Sequence, residues 1–157
     1  MATLKDSLDA FEGQPEQPWK VRKHTTVSES GQRYEASFIP DYMSAIYGID
    51  GGVIKDKTIC KCDKLLLVDR GENGLVGIFV ELKGQNMNHA IKQLEDTLNH
   101  SLFKNAVIEV KHARVIGRRI PKNAANSTQE IAKKRFLVKY NCRLEIKGGP
   151  YKETFRL

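Results

Sequence analysis

Two acidic residues and a lysine, carried by two apolar segments, have the side chains that metal-dependent hydrolysis needs. Asp63 stands at the start of "CDKLLLVD" (62–69), and Glu81 and Lys83 lie within "LVGIFVELKG" (75–84). Side chains alternate along a strand, so we expect Glu81 and Lys83 to project from the same face, about 7 Å apart. Burying charged groups in such an apolar segment is costly, which indicates that this pair has a partner or a function.

The two apolar segments predict a β-hairpin that brings the acids together. Both have the length of a strand, and "RGENG" between them has the composition of a turn. A hairpin places the start of its first strand beside the end of its second, so Asp63 should approach Glu81. Two neighbouring carboxylates repel unless a divalent cation lies between them. The hairpin therefore predicts a cation site with two carboxylate ligands.

Mg²⁺, or Mn²⁺ in its place, suits this donor set. Mg²⁺ prefers hard oxygen ligands, keeps several of its waters and often takes two carboxylates together with phosphate oxygens. The backbone carbonyl of Leu82 is a further candidate ligand. Lys83 beside the ion could orient or deprotonate a metal-bound water and stabilise charge on an attacked phosphate. The expected chemistry is hydrolysis of a phosphate ester.

Further helices and strands are predicted around this hairpin. "MNHAIKQLEDTLNHSLF" (87–103) predicts a helix capped by Asn86 or Asn88, with a buried stripe of Ile91, Leu94, Leu98 and Leu102. The other predicted elements are a helix over 3–13, an ambiguous stretch 19–39 that favours a short strand at 34–39, one or two helical turns in "DYMSAIYG" (41–48), a strand over 106–117, a helix over 127–140 with Ile131, Phe136 and Val138 among its apolar residues, and a strand over 142–148. The order strand, strand, helix, strand, helix, strand predicts an α/β sandwich with a mixed sheet.

The length and composition indicate one domain, residues 1–157, in the cytoplasm. A chain of 157 residues can bury one substantial core. It has no apolar run long enough to span a membrane, and "MATLKDSLDAFEG" resembles neither a secretory signal nor a transit peptide. The three cysteines include a Cys60–Cys62 pair in C-x-C spacing, which is poorly suited to zinc, so we expect free thiols.

The combination of Asp63, "ELK" at 81–83 and the helix that follows resembles the PD-(D/E)XK nuclease superfamily, which includes restriction endonucleases and Holliday-junction resolvases. The resemblance covers the core, about residues 55–120, and more loosely the basic tail 121–157; residues 1–50 are expected to form a helical or irregular extension. It implies a restriction-endonuclease-like mixed central β-sheet flanked by helices. In that family Asp63 and Glu81 would be metal ligands and Lys83 the water-activating lysine.

The resemblance implies further roles. Gln93 resembles a glutamine that several members carry in the helix after the motif, facing the site. Some members add an acidic residue from an N-terminal helix, and Glu29 or Glu35 could fill that role. The motif's usual proline is replaced by Cys62. The implied function is that of a metal-dependent endonuclease acting on nucleic acid, with DNA favoured over RNA, and a double-strand cut would require a homodimer.

The charge is unevenly distributed along the chain. Residues 1–103 carry 12 Lys and Arg against 15 Asp and Glu, and residues 104–157 carry 14 against 4. Such polarity is typical of a surface that meets polyanions, although a solvated basic surface has the same composition. The candidate phosphate contacts are Arg114, Arg118, Arg119, Lys122, Lys133 and Lys134.

Two other function classes fit the same residues. One is a non-catalytic nucleic-acid-binding module that keeps this fold; the intact Asp63, Glu81 and Lys83 favour an enzyme over it. The other is a protein-interaction module whose basic tail binds an acidic protein. The interaction module predicts neither metal binding nor nuclease activity, and a cleavage assay distinguishes it from the enzyme.

Overall fold

The computed structural model describes residues 4–10, 14–50, 53–54, 62–82, 86–104, 107–117 and 126–157. These residues form α1 (Leu4–Ala10), β1 (Gln17–Glu29), β2 (Gln32–Gly48), β3 (Lys64–Asp69), β4 (Leu75–Glu81), α2 (Met87–Asn99), α3 (Ser101–Lys104), β5 (Val110–Gly117), α4 (Asn126–Tyr140), β6 (Cys142–Gly148) and β7 (Tyr151–Arg156). A short 3₁₀ turn, Gly71–Asn73, joins β3 to β4. None of the described helices is long and apolar enough to span a membrane.

The strands form a seven-stranded mixed sheet in the order β1-β2-β3-β4-β5-β6, with β7 added to β2. Successive strands from β1 to β4 are antiparallel, whereas β5 runs parallel to β4, β6 runs parallel to β5, and β7 runs parallel to β2. The parallel pairs require crossover connections, and α2 and α4 lie in those connections. The predicted mixed α/β architecture is therefore confirmed.

The sheet has a core on each face. On one face the helices pack against alternate strand residues, and this core includes Leu8, Leu94, Phe136, Leu65 and Phe79. The other face is covered by strand residues, and this second core includes Tyr34, Phe38, Leu66, Ile78, Ile116 and Phe155. Burying both faces explains why β3 and β4 read as nearly continuous apolar runs.

Strand β2 belongs to two layers of the molecule, one that it forms with β7 and one that it forms with β3. Its first half, 34–39, pairs with β7, and its second half, 43–48, pairs with β3. The Lys64 ammonium lies 2.7 Å from a Glu16 carboxylate oxygen and 3.8 Å from one of Glu29. A straight strand of this length would separate those two acids by about 40 Å. The β1–β2 hairpin must therefore curve back so that both ends of β1 reach β3.

Several predicted elements are confirmed around the centre of the chain. The hairpin of β3 and β4 forms with its turn at "RGENG". Helix α2 follows it, and the Asn86 side chain caps this helix by accepting a hydrogen bond from the His89 N–H at 3.1 Å. Ile91, Leu94 and Leu98 are buried in α2, whereas the predicted helix over 87–103 is broken at His100, and Leu102 lies half-buried in α3. Local periodicity and turn chemistry were sufficient for this part of the fold.

Two predictions for the flanking regions were wrong. Residues 41–48 form the second half of β2 rather than helical turns, so residues 1–50 are mainly a β-hairpin. Of the three apolar residues named for the helix that became α4, Ile131 and Val138 are 59% and 87% exposed. Phe136, the third, faces the core together with Ala132, because both lie on the side of α4 that meets β6 and α2.

Candidate functional site

The structure brings Asp63 and Glu81 together at one end of the β3–β4 hairpin. Asp63 immediately precedes β3, and Glu81 is the last residue of β4. The register pairs Lys64 with Val80, so the next step along the hairpin sets Asp63 opposite Glu81. The Leu82 N–H donates a hydrogen bond of 2.9 Å to Oδ2 of Asp63. The Asp63 carboxylate therefore lies against the backbone that follows Glu81.

Both carboxylates are withdrawn from solvent on the helical side of the sheet. Glu81 is 0% exposed and Asp63 is 6% exposed. Glu81 shares its face with Phe79, which belongs to the core beneath the helices. The pKa of the neighbouring Cys62 thiol is raised by burial, and the Glu81 and Asp63 carboxylates raise it further. Cys62 therefore stays protonated.

Gln93 lies on the buried side of α2, in the layer that covers this face. Its backbone carbonyl accepts a hydrogen bond of 2.8 Å from the Thr97 hydroxyl, and the same hydroxyl accepts one of 2.9 Å from the Cys62 N–H. Helix α2 is thereby attached to the residue that precedes Asp63. The sequence did not reveal Thr97, because a threonine inside an apolar helical stripe carries no signal of its distant partner.

Four of the residues predicted for the site lie outside the part of the chain that the structure describes. They are Lys83, Arg118, Arg119 and Lys122. Their roles remain predictions from the sequence. The described part of the site consists of Asp63, Glu81, Leu82 and Gln93.

Arg114 lies on the opposite face of the sheet and does not form a surface phosphate contact. It is 4% exposed, and its guanidinium binds both carboxylate oxygens of Glu153, at 2.6 and 3.1 Å. The Tyr34 hydroxyl donates to the same carboxylate at 2.7 Å. The expectation for Arg114 is corrected for this reason: a guanidinium enclosed between β5 and β7 with its carboxylate partner is not available to nucleic acid.

The two lysines predicted on α4 differ in their surroundings. Lys133 lies 3.5 Å from a Glu130 carboxylate oxygen and 3.6 Å from one of Glu145, so its charge is partly compensated. Lys134 is exposed and makes no ion pair with the described residues. Lys134 is therefore the more accessible of the two to a polyanion.

The two acids considered as an additional ligand are separated by the fold. Glu29 approaches Lys64, next to Asp63 in the sequence, and so lies at the same end of the sheet as the acid pair. Glu35 lies 3.9 Å from both Arg33 and Lys152 and accepts a hydrogen bond from Thr26. Its neighbours Tyr34 and Ala36 face the strand core, so Glu35 faces outward from that layer. Glu35 is thus directed away from the acid pair.

The metal-ligating residue types are sparse in the described segments. Within those segments no group of three or more His, Cys, Asp or Glu side chains could hold a metal ion. Cys62 and Cys142 are buried free thiols, as predicted, and Cys60 lies outside the described residues. The donor set at the acid pair is two carboxylates and a backbone carbonyl, which fits a hard cation that keeps water ligands.

Comparisons with protein-family models, curated proteins and solved structures found no match to this chain. The interpretation of the site therefore depends on its own geometry and chemistry. Two buried carboxylates, one of them fixed by a backbone N–H, converge where β3 begins and β4 ends. This arrangement can hold a divalent cation beside a phosphate ester.

Proposed function

We propose that this chain is a divalent-metal-dependent nuclease that hydrolyses phosphodiester bonds, in DNA in preference to RNA. The observation that carries the proposal is the hydrogen bond from the Leu82 N–H to Asp63, which holds a second carboxylate beside Glu81. Moving an ionised carboxylate from water into a protein interior costs free energy. A buried pair of carboxylates therefore supports a functional site over a purely structural arrangement.

The surrounding elements support a restriction-endonuclease-like fold for this proposal. The pattern of an acid, a hairpin, a second acid and a helix is carried by β3, β4 and α2 in consecutive order. The next strand, β5, runs parallel beside β4. In open sheets, ligands bind at the carboxyl ends of parallel strands, and Glu81 ends β4 at that edge.

Each residue of the site has a defined task in the proposed reaction. Asp63 and Glu81 would hold the cation, and the Leu82 carbonyl would complete the protein ligands. When bound, the ion would polarise a phosphoryl oxygen and lower the pKa of a bound water. The Leu82 N–H keeps Asp63 oriented, Lys83 would orient the attacking water or take its proton, and Gln93 would contact the site from α2.

The test is cleavage of plasmid, linear duplex, single-stranded DNA and RNA with Mg²⁺ or Mn²⁺. Asp63→Asn, Glu81→Gln and Lys83→Met are each expected to lower the rate by on the order of 100-fold or more, since each removes a ligand or the proton acceptor. Glu72→Gln is the matched control, because Glu72 is an exposed acid in the turn at the other end of the hairpin. Wild-type protein that cuts none of these substrates, or variants that cut as fast as wild type, would contradict the proposal.

A homodimer accompanies the proposal if both strands of a duplex are cut. The two strands run in opposite directions, and a two-fold axis would present one site to each backbone. Analytical ultracentrifugation measures the oligomeric state, and separating the plasmid products into nicked and linear forms shows whether one strand or both are cut. Together the two measurements test whether double-strand cutting requires a dimer. Linear product formed by a monomer at the earliest times would argue against the dimer.

A further inference from the structure

Thr97 connects helix α2 to the segment that carries Asp63. Its side chain is fully buried in the last turns of α2. The hydroxyl oxygen accepts a hydrogen bond of 2.9 Å from the Cys62 N–H, and the hydroxyl donates one of 2.8 Å to the Gln93 carbonyl. One hydroxyl thus joins the backbone before the first acid to the backbone of Gln93.

The Thr97 contact completes a set of hydrogen bonds around Asp63. The Asp63 carbonyl accepts a bond of 3.0 Å from the Ile49 N–H, just beyond the end of β2. The Asp63 carboxylate accepts from the Leu82 N–H, just beyond the end of β4. The peptide before Asp63 is bound to α2 through Thr97. Three different parts of the fold therefore fix Asp63, the residue that precedes β3.

Thr97 is a poor choice for helix stability alone. A β-branched residue lowers helix propensity, and a threonine hydroxyl bonded to the carbonyl four residues earlier slightly destabilises and bends a helix. A valine of the same shape would fill this buried position without a polar group. The hydroxyl is explained by its bond to Cys62, which lies 35 residues away in the chain.

We propose that Thr97 is a positioning residue that sets the orientation of the Asp63 carboxylate for cation binding. The proposal deepens the proposed nuclease function and rests on it. Hydrogen bonds behind a metal ligand fix its direction, and losing one typically weakens metal affinity about 10-fold to 100-fold. Thr97 acts through the Cys62 peptide and does not itself contact the ion.

The test compares substitutions of two buried threonines in the full-length protein. Thr97→Val preserves shape and removes both hydrogen bonds, whereas Thr97→Ser keeps the hydroxyl. Thr25→Val is the matched control, because Thr25 is buried in β1 and its hydroxyl has no hydrogen-bond partner among the described residues. Calorimetric titration with Mn²⁺ should show affinity about 10-fold weaker for Thr97→Val. Thr97→Ser and Thr25→Val should stay within about 3-fold of wild type by the same reasoning.

A second readout separates this proposal from the nuclease proposal. Hydrogen exchange of the Leu82 amide, followed by NMR, reports directly on its bond to Asp63. Exchange at Leu82 should become several-fold faster in Thr97→Val and remain unchanged in Thr25→Val. If wild type and Asp63→Asn bind Mn²⁺ equally, the cation site fails, and Leu82 exchange still decides whether Thr97 positions Asp63. The assignment would be overturned if Thr97→Val bound Mn²⁺ with wild-type affinity and its Leu82 amide exchanged at the wild-type rate. It would also be overturned if Thr25→Val changed the Mn²⁺ affinity and the Leu82 exchange as much as Thr97→Val does.

Discussion

Replacing Arg114 by methionine should destabilise the protein strongly and leave the candidate site intact. The substitution removes a guanidinium that donates to both oxygens of Glu153 and to the carbonyls of Ala113 and Arg143. It leaves the half-buried Glu153 carboxylate without its cation. Removing one partner of a buried ion pair costs about 3–5 kcal/mol. Since domains of this kind unfold with about 5–15 kcal/mol, the loss is a large part of the total.

The pH dependence of this loss gives a sharper test. Burial would raise the pKa of Glu153, but the hydrogen bonds and charge of Arg114, together with the Tyr34 hydroxyl, lower it overall. A carboxyl whose pKa is lowered by folding contributes stability above its unfolded value of 4.5, and this contribution is lost as the pH falls. The difference in stability between wild type and Arg114→Met should therefore narrow as the pH falls below about 4.5.

Urea unfolding followed by circular dichroism at pH 7 and pH 4 measures both quantities. The double variant Arg114→Met with Glu153→Met is the control, because removing both charges should restore most of the stability, to within about 2 kcal/mol of wild type. A loss below about 1 kcal/mol in Arg114→Met would refute the buried-pair interpretation. The interpretation would also be refuted if the double variant had no higher free energy of unfolding than Arg114→Met alone. A surface phosphate contact would instead weaken nucleic-acid binding at unchanged stability.

Three further predictions follow from other sites. Burial and the nearby Arg114 lower the pKa of His112 from 6.5 to about 4, so the folded state binds fewer protons than the unfolded chain and loses stability as the pH falls from 7 to 5. Because the ring is partly exposed, urea titrations should show wild type losing about 1–2 kcal/mol more than His112→Gln over that range, and equal losses would contradict this. Asn86→Ala should cost about 1 kcal/mol in the same assay through loss of the α2 cap, with Asn88→Ala as the unaffected control. Lys134→Ala should reduce the salt slope of duplex binding by about 1 in fluorescence anisotropy, and an unchanged slope would exclude Lys134 as a phosphate contact.

The centre of the fold could be predicted because its signals are local. The β3–β4 turn has the glycines and polar residues that turns require, and α2 shows helical periodicity after a capping asparagine. The approach of Asp63 to Glu81 also follows from local information, since a hairpin dictates which residues face each other. This part of the candidate site was therefore accessible from the sequence.

The remaining elements depend on contacts between distant segments. Residues 44–47 are all buried because the second half of β2 has a core on both faces, so they lack the alternation that distinguishes a strand from a helix. Helix α4 carries apolar residues on more than one side, and only its packing on β6 decides that Phe136 rather than Val138 is buried. Strand β7 pairs with β2 across most of the length of the chain. No local pattern contains that information.

The same distinction applies to individual side chains. Arg114 lies 39 residues from Glu153, and Thr97 lies 35 residues from Cys62. The apolar neighbours Ala113 and Val115 indicated a buried strand, and an arginine there needs an anionic partner that the sequence alone cannot identify. Roles that depend on such pairs, positioning for Thr97 and packing for Arg114, emerge only from the tertiary structure.

Because β2 pairs with β7 in one layer and with β3 in the other, it affects how the protein unfolds locally. Its first half cannot separate from β7, nor its second half from β3, without disturbing the one continuous strand that both layers share. Fluctuations that open one layer alone are therefore suppressed, and the two layers should behave as a single cooperative unit. In native-state hydrogen exchange, the β2 amides bonded to β3 and to β7 should exchange only through global unfolding and report one common free energy. The end of the sheet that carries Asp63 and Glu81 would then be anchored to the most persistent part of the molecule.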